Sequence, residues 1–313
     1  MAATTISWTD HSVNPIRARH IPTGKVGHYC ERVSSGCAHC YASQLQVRFG
    51  TPAFVAGQKR HEYEIFLDEK KLEEVRRRRK ATKYFWEDMS DLFGDWVQPE
   101  WLDACFATMD ATPQHVHQLL TKRPQSVSGM WPRCARCGGN GRIEWLEHCP
   151  VCRGIGDVPL RRNCWLGTSI AERRDLPAID ELRKCMGLAA VLFLSIEPLL
   201  EDLGEIDLTG IDWVIVGAES GPKYRPFHVE WARRIQRQCE QHSVAYFLKQ
   251  VGRRPRDCFR NIAGWPSWRE RCHQFTDSGD DSEIEIRLAD TKGSDPSEWP
   301  DDIRSQQLPM GLR

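Results

Sequence analysis

Six short apolar runs set the tightest limit on how this chain can fold. "TKYFWE" (82–87), "HVHQLLT" (115–121), "NCWLGTSI" (163–170), "AVLFLSIEP" (190–198), "DWVIVGAES" (212–220) and "VAYFLKQ" (244–250) are rich in branched and aromatic residues. Each ends at polar, Gly or Pro residues, which is the pattern of a buried strand. Between them "PEWLDACFATM" (99–109), opened by Pro, "LPAIDELRKC" (176–185) and "HVEWARRIQRQCEQH" (228–242) carry helical periodicity. Strands alternating with helices give a parallel sheet, either a barrel or a wide doubly wound sheet. A weaker strand, "TTISW" (4–8), and a helix, "ASQLQVRFG" (42–50), precede this series.

The chain has 313 residues, 40% of them hydrophobic and 27% charged, with 43 basic and 43 acidic side chains. Such a composition is that of a globular protein, and zero net charge removes any simple electrostatic case for coating nucleic acid or a membrane. No apolar run approaches the roughly 20 residues of a membrane span, and "MAATTISWTDH" lacks the regions of a signal peptide, so a cytoplasmic protein is expected. "KKLEEVRRRRK" (70–80) reads as the solvated face of a helix. Beyond Gly252 the apolar runs thin out, and an acidic patch lies at 277–285. Residues 253–313 therefore read as a wrapping extension with a mobile segment inside it.

Thirteen cysteines in a reducing compartment point to metal rather than disulfides. Six of them (Cys105, Cys164, Cys185, Cys239, Cys258 and Cys272) are scattered and read as small buried apolar residues. Cys134, Cys137, Cys149 and Cys152 form C-x2-C-x11-C-x2-C, two knuckles that place four thiolates around one tetrahedral Zn²⁺. A four-thiolate iron–sulfur cluster is the other option. With its "CGGNG" and "CRGIG" turns, this segment of about twenty residues resembles the zinc knuckles of the DnaJ-type chaperone family. It lies between two strands and reads as an insertion, 131–156, in a domain spanning 1–252. Its role is to staple a long loop, or to grip a protein partner or nucleic acid.

The other cluster, Cys30, Cys37 and Cys40, has the spacing C-x6-C-x2-C and no fourth cysteine before Cys105. A closed zinc site here would need His28, His39 or a distant residue. The alternative is a [4Fe–4S] cluster with three irons held by thiolates and the fourth left open, as the reductive cleavage of S-adenosylmethionine requires.

Around these cysteines "SWTDHSVNP" and "SSGCAHCYA", followed by "MSDLFG", "LLTKRP", "WLGTSI", "LSIEPLL", "WVIVGAESGP" and "YFLKQVG", resemble the three-cysteine-motif phage protein family, which is similar to radical S-adenosylmethionine enzymes. The ending "WPDDIRSQQLP" also resembles that family. The first gap is longer than the C-x3-C-x2-C usual in the radical enzymes. What the resemblance implies is an α/β fold, a parallel (β/α) partial TIM-type barrel of six to seven strands, together with a [4Fe–4S] cluster, S-adenosylmethionine and a reductant such as flavodoxin or ferredoxin. It also implies a nucleic acid or nucleotide as the substrate to be modified or repaired.

In such a barrel the C-terminal strand ends face one cavity. "WEDMSD" offers Glu87, Asp88, Ser90 and Asp91 as acceptors for the methionine ammonium. "GTSI" adds Thr168 and Ser169, "SIEP" adds Ser195 and Glu197, "GAESG" adds Glu219 and Ser220, and Tyr41 follows Cys40 where an aromatic would lie near the adenine. Lys122, Arg123, Lys249 and Gln250 belong to the same strand ends, and Lys223 with Arg225 could bind a phosphate or carboxylate. Taken together, these features describe a radical S-adenosylmethionine enzyme with a structural zinc insertion. The rival is a non-catalytic zinc protein that binds nucleic acid or a protein partner.

Overall fold

The computed structural model describes residues 4–131, 140, 142, 163–219, 224–258 and 283–309. In chain order its elements are β1 (His11–Val13), β2 (Ile16–His20), β3 (Val26–Gly27), α1 (Tyr41–Arg48), β4 (Tyr63–Leu67), α2 (Glu69–Arg77), β5 (Lys83–Trp86), α3 (Pro99–Asp110), β6 (Val116–Thr121) and α4 (Pro124–Met130). They continue with β7 (Cys164–Ser169), α5 (Pro177–Arg183), β8 (Val191–Ile196), β9 (Trp213–Gly217), β10 (Phe227–His228), α6 (Val229–Gln241), β11 (Ala245–Gln250), β12 (Pro255–Cys258) and β13 (Glu283–Glu285).

Seven strands form one parallel sheet in the order β1-β5-β6-β7-β8-β9-β11, the strand arrangement of a partial (β/α) barrel. All six apolar runs become strands of this sheet, and β8 and β9 are buried at every position. That burial is why their sequences are continuously apolar instead of alternating. α3 shows the complementary logic: Pro99 occupies its first turn, and Leu102, Cys105, Phe106 and Met109 recur at i, i+3, i+4 and i+7 as its buried stripe.

By contact density the chain divides into two compact units. The first comprises Met1–Val33, Ala42–Thr168 and Ala178–Leu192. It contains a small antiparallel sheet, β3-β2-β4, which the sequence reading passed over. Its signal was present, because Ile16, Ala18 and His20 alternate inward along β2 and "PTGK" supplies the turn. The expected strand at 4–8 is not formed. That segment turns instead, with Thr9 N donating to Ile6 O, and the edge strand is His11–Val13. Trp8 accounts for the difference: its ring is buried 4.7 Å from that of Phe85, an anchorage that requires no strand pairing. α2 occupies most of the basic run and buries Leu72 and Val75, leaving its charges on the solvated side.

The second unit comprises Ser34–Tyr41, Ser169–Pro177 and Phe193–Arg313. α6 packs in it beside the three-stranded sheet β10-β12-β13. Arg233 of α6 donates to Asp257 at 2.7 Å and to Asp302 at 2.7 Å, a buried charge answered from two sides. The "DDIRSQQLP" segment lies along β11: Leu248 N donates to Ser305 O at 2.7 Å, and Gln307 N donates to Tyr246 O at 2.9 Å. This pairing covers an edge strand that would otherwise expose its backbone donors and acceptors. The zinc-knuckle cysteines Cys134, Cys137, Cys149 and Cys152, and the stretch 259–282 of the extension, lie outside the described residues.

Candidate functional site

The connection from β1 to β5 carries Cys30, Cys37 and Cys40, with α1 beginning at the residue after Cys40. None of the three is in a disulfide; Cys37 is buried, and the other two are half-buried. Within each unit, polar groups at strand ends hold the part of this loop that the unit contains.

In the first unit the residues on both sides of Cys30 are fastened through their carbonyls. Ser90 Oγ donates to Tyr29 O at 2.5 Å, and Arg123 Nη2 donates to Glu31 O at 3.3 Å. Arg123 is itself fixed by Asp91 (Nη1 to Oδ2, 3.1 Å) and by lying 4.7 Å over the Trp96 ring. Asp91 is saturated, because it also accepts from Thr121 Oγ1 at 2.8 Å, Lys122 N at 3.2 Å and Phe93 N at 3.1 Å. The Tyr29 ring meets Tyr63 and Trp96 edge-on, each at 5.1 Å, and its hydroxyl donates to Glu31. Burial and that carboxylate raise the Tyr29 pKa, so the donor is never ionised at ordinary pH.

Glu87, next after β5, is fully enclosed. Its Oε1 accepts from Ile16 N at 2.7 Å while Oε2 is buried with no hydrogen-bond partner. Its backbone has φ +56°, unusual for a residue with a side chain. Burial pushes its pKa well above the usual carboxylate range, and Asp88 and Asp91 add to the effect. Asp88 accepts from Asn14 Nδ2 at 2.5 Å, and Asn14 Oδ1 accepts from Met89 N at 3.0 Å, so the "EDMSD" turn is closed on β1. His28, one possible extra ligand, is lowered to about 4 by burial and by Arg17, which keeps it neutral.

In the second unit, Ser35–Cys37 form a single 3₁₀ turn, and Cys40 N donates to Cys37 O at 3.3 Å. Ser34 Oγ lies 3.6 Å from Cys37 Sγ. Gly36 is pressed close, since a Cβ there would come within 3.3 Å of Ala171 Cβ and 3.5 Å of Pro198 Cδ. Glu219, just past β9, organises this turn: Arg225 grips both its oxygens, with Nε to Oε2 at 3.1 Å and Nη2 to Oε1 at 2.5 Å. His39 Nδ1 lies 3.0 Å from Oε2. Arg225 Nη2 reaches on to Ser35 O at 3.3 Å. Burial alone would raise the Glu219 pKa, but the bonds from Arg225 and His39 outweigh it and hold the carboxyl below its ordinary value.

The remaining expected residues divide by exposure. Thr168 is buried and donates to Thr121 O at 3.0 Å, and Ser195 is buried in β8. Glu197 pairs with Lys249 at 2.7 Å and covers Gly217, where a Cβ would fall 2.6 Å from its Oε1. Gln250 donates to Ala218 O at 2.7 Å. Tyr41 is exposed at the start of α1, and Ser169 is half-buried at the end of β7. Ser220 and Lys223 lie outside the described residues. Sequence reasoning gave Arg123 and Arg225 no role toward the cysteines. Nothing in their local pattern reveals that they reach carbonyls 92 and 190 positions away. Among the described residues, no group of three or more His, Cys, Asp and Glu gathers as around a single metal ion.

A family model described as "Protein of unknown function (DUF5131)" matches residues 3–283. The chain belongs to that family. No curated protein matches it. Among solved structures, a cysteine-to-alanine mutant of spore photoproduct lyase aligns at TM-score 0.36 and 11% identity, covering 67% of this chain and 72% of that one. Spore photoproduct lyase complexed with dinucleoside spore photoproduct aligns at TM-score 0.33 and 10% identity, covering 85% of this chain and 68% of that one. No helix among the described residues is long and apolar enough to cross a membrane.

Proposed function

We propose that this DUF5131 chain is a radical S-adenosylmethionine enzyme in which Cys30, Cys37 and Cys40 hold three irons of a [4Fe–4S] cluster. The observation that carries the reading is the placement and bracing of the cysteine loop. It occupies the first βα connection of a parallel sheet, where the C-terminal strand edge lies. Ser90 after β5, Arg123 after β6 and Arg225 after β9 each donate to a carbonyl of this loop. A held loop of reduced thiols is what a cluster needs, and a loop of ordinary connecting function would not require the nearly buried Asp91–Arg123 pair and the half-buried Glu219–Arg225 pair to brace it.

When bound, the cluster would supply one electron to the sulfonium of S-adenosylmethionine, whose C–S bond then breaks. The chain's own groups prepare for this chemistry. Ser90, Asp91 and Arg123 fix the Cys30 segment, while Glu219, His39 and Arg225 fix the turn of Cys37 and Cys40. Tyr41 and Ser169, neither of them enclosed, are assigned to the adenine and to the ribose or carboxylate of S-adenosylmethionine. Glu197 and Glu87 complete the polar strand ends. Cys134, Cys137, Cys149 and Cys152 are assigned a structural Zn²⁺, and resemblance to the three-cysteine-motif phage proteins assigns a nucleic acid or nucleotide as substrate.

Anaerobic protein reconstituted with iron and sulfide tests the proposal. It should be brown, bind iron and sulfide, and release 5′-deoxyadenosine from S-adenosylmethionine on reduction, and Cys37→Ala should abolish all three. Zinc in the opening motif and no deoxyadenosine would put the zinc-scaffold reading in its place. Separately, Cys149→Ser should lose the zinc of the insertion, and wild-type zinc content in that variant would refute its assignment.

A further inference from the structure

At the C-terminal ends of β8 and β11, within the second unit, stands an ion pair to which the proposed chemistry gives no ligand of its own. Glu197 Oε1 and Lys249 Nζ are 2.7 Å apart. Strand residues alternate between two faces, and Tyr246 faces α6, where its hydroxyl donates to Ala232 O at 3.4 Å. Phe247 therefore lies on the other face, its ring 6.0 Å from that of Trp213. Ile215 is its register partner on β9, and Ser195 on β8 is the partner of Ile215. One step nearer the strand ends come Gly217 and Glu197, and a Cβ on Gly217 would fall 2.6 Å from Glu197 Oε1. The pair thus occupies the face turned away from α6, beyond an apolar layer that includes Phe193, Trp213 and Phe247.

Two local departures make room for it. Gly217 leaves a notch for the carboxylate, and Lys249 is the extra residue where the β9–β11 register shifts between Leu248 and Gln250, a bulge of the kind that re-aims a side chain. The cysteine turn is its neighbour, since a Cβ on Gly36 would lie 3.5 Å from Pro198 Cδ, one residue past Glu197. Among the described residues neither charged group makes another hydrogen bond or ion pair. An ammonium donates three times and a carboxylate accepts about four times, so donors and acceptors remain side by side on side chains 22% and 13% exposed. Charge decides what fits them. Lys249 is already neutralised by Glu197, and Glu219 at the end of β9 is taken up by Arg225 and His39. A phosphate would have to sit against the Glu197 carboxylate. A neutral group that offers an acceptor beside a donor satisfies both partners, and the Watson–Crick edge of a nucleobase has that pattern, exposed only when the base is unpaired.

We infer that Glu197 and Lys249 read the Watson–Crick edge of an unpaired base, so that the substrate is a single strand or a free nucleotide rather than an intact duplex. The inference rests on the nucleic acid or nucleotide substrate proposed above. Lys249 donates to a ring nitrogen or carbonyl oxygen of the base, and Glu197 accepts from its ring or exocyclic N–H. No covalent bond is made or broken by the pair.

The test is fluorescence anisotropy of the reconstituted full chain with short single-stranded oligonucleotides of each base in turn. The tightest should bind about tenfold or more better than its duplex, and methylation of its bases at the Watson–Crick ring nitrogen should weaken it about tenfold or more. That arm needs no variant. Lys249→Met, which keeps the stem and removes the donors, and Gly217→Ala, which displaces Glu197, should each weaken binding similarly, while Arg237→Glu on α6 should not. Displacement by the matching mononucleotide at equal base concentration would assign the edge to a free nucleotide, and its failure would assign it to a strand. No binding by wild type, duplex held as tightly, indifference to methylation, or equal competition by inorganic phosphate would overturn the inference. So would a Lys249→Met chain that keeps the strand but loses S-adenosylmethionine, which would give the pair to the methionine ammonium and carboxylate. Edge-dependent binding by a chain that makes no deoxyadenosine would keep this inference and refute the cofactor; deoxyadenosine formation with edge-insensitive binding would do the reverse.

Discussion

Glu87 and His117 place opposite pH limits on this fold. Burial holds the Glu87 carboxyl well above its ordinary range in the native state, whereas in the unfolded chain it ionises near pH 4.3. Above that pH the native state binds the extra proton, so this residue's contribution falls as pH rises toward its folded pKa. Glu87→Gln keeps an acceptor for Ile16 N and removes the ionisable group, so it should flatten the alkaline decline in urea-melt stability. An unchanged pH slope would mean that Glu87 is ionised in place. His117 has the reverse sign: burial first, and then His115, push it down to about 3, while Trp86 Nε1 donates to its Nδ1 at 3.0 Å. Because the unfolded imidazole takes up a proton below about 6.5, stability should drop from there toward pH 3. In His117→Gln that acid-side slope should lessen, read by the same melts. Asp91 matters for a different reason: its removal strands Arg123, which is nearly buried. Asp91→Ala should therefore cost about 3 kcal/mol, checked by urea unfolding, where a loss below about 1 kcal/mol would mean that water replaces the carboxylate.

At the scale of elements, the strands and helices were legible because burial on both faces leaves a continuous apolar run and burial on one face leaves a 3.6-residue stripe. β8, β9 and α3 show this directly. β1 was not legible: three residues, "HSV", carry too little pattern, and the better-looking "TTISW" is held by one tryptophan ring. The clustering of Cys30, Cys37 and Cys40 on one connection was legible. Its bracing by Arg123 and Arg225 was not, because a contact to a carbonyl across the fold depends on where a side chain ends and leaves no mark in local sequence. The C-terminal strap is an element of the same kind, readable as an extension but not as an edge cover. Trp299 is fully buried and donates through Nε1 to Gly293 O at 3.0 Å, so Trp299→Ala should cost about 3–5 kcal/mol. The variant should also free β11 for edge pairing, so that size-exclusion chromatography shows concentration-dependent association absent from wild type.

For the whole molecule, the proposed function predicts how stability responds to its ligand. A compound that binds only the native state adds RT ln(1 + [L]/Kd), about 2.7 kcal/mol at a hundredfold excess over Kd. S-adenosylmethionine should therefore raise the unfolding temperature of the anaerobic, iron-loaded chain by several degrees. The cluster proposed for Cys30, Cys37 and Cys40 would supply most of that affinity, so the shift should vanish in Cys37→Ala and in protein stripped of iron. Arg225→Ala distinguishes bracing from ligation. It leaves all three thiols in place but frees the 3₁₀ turn and strips Glu219 of its cation. Iron should still load, with the shift reduced because the turn is no longer held before binding. Should Cys37→Ala and the iron-free chain show the same shift as the loaded wild type, S-adenosylmethionine would be bound by the strand-end polar groups alone, and the chain would belong with methyl donors rather than with radical chemistry.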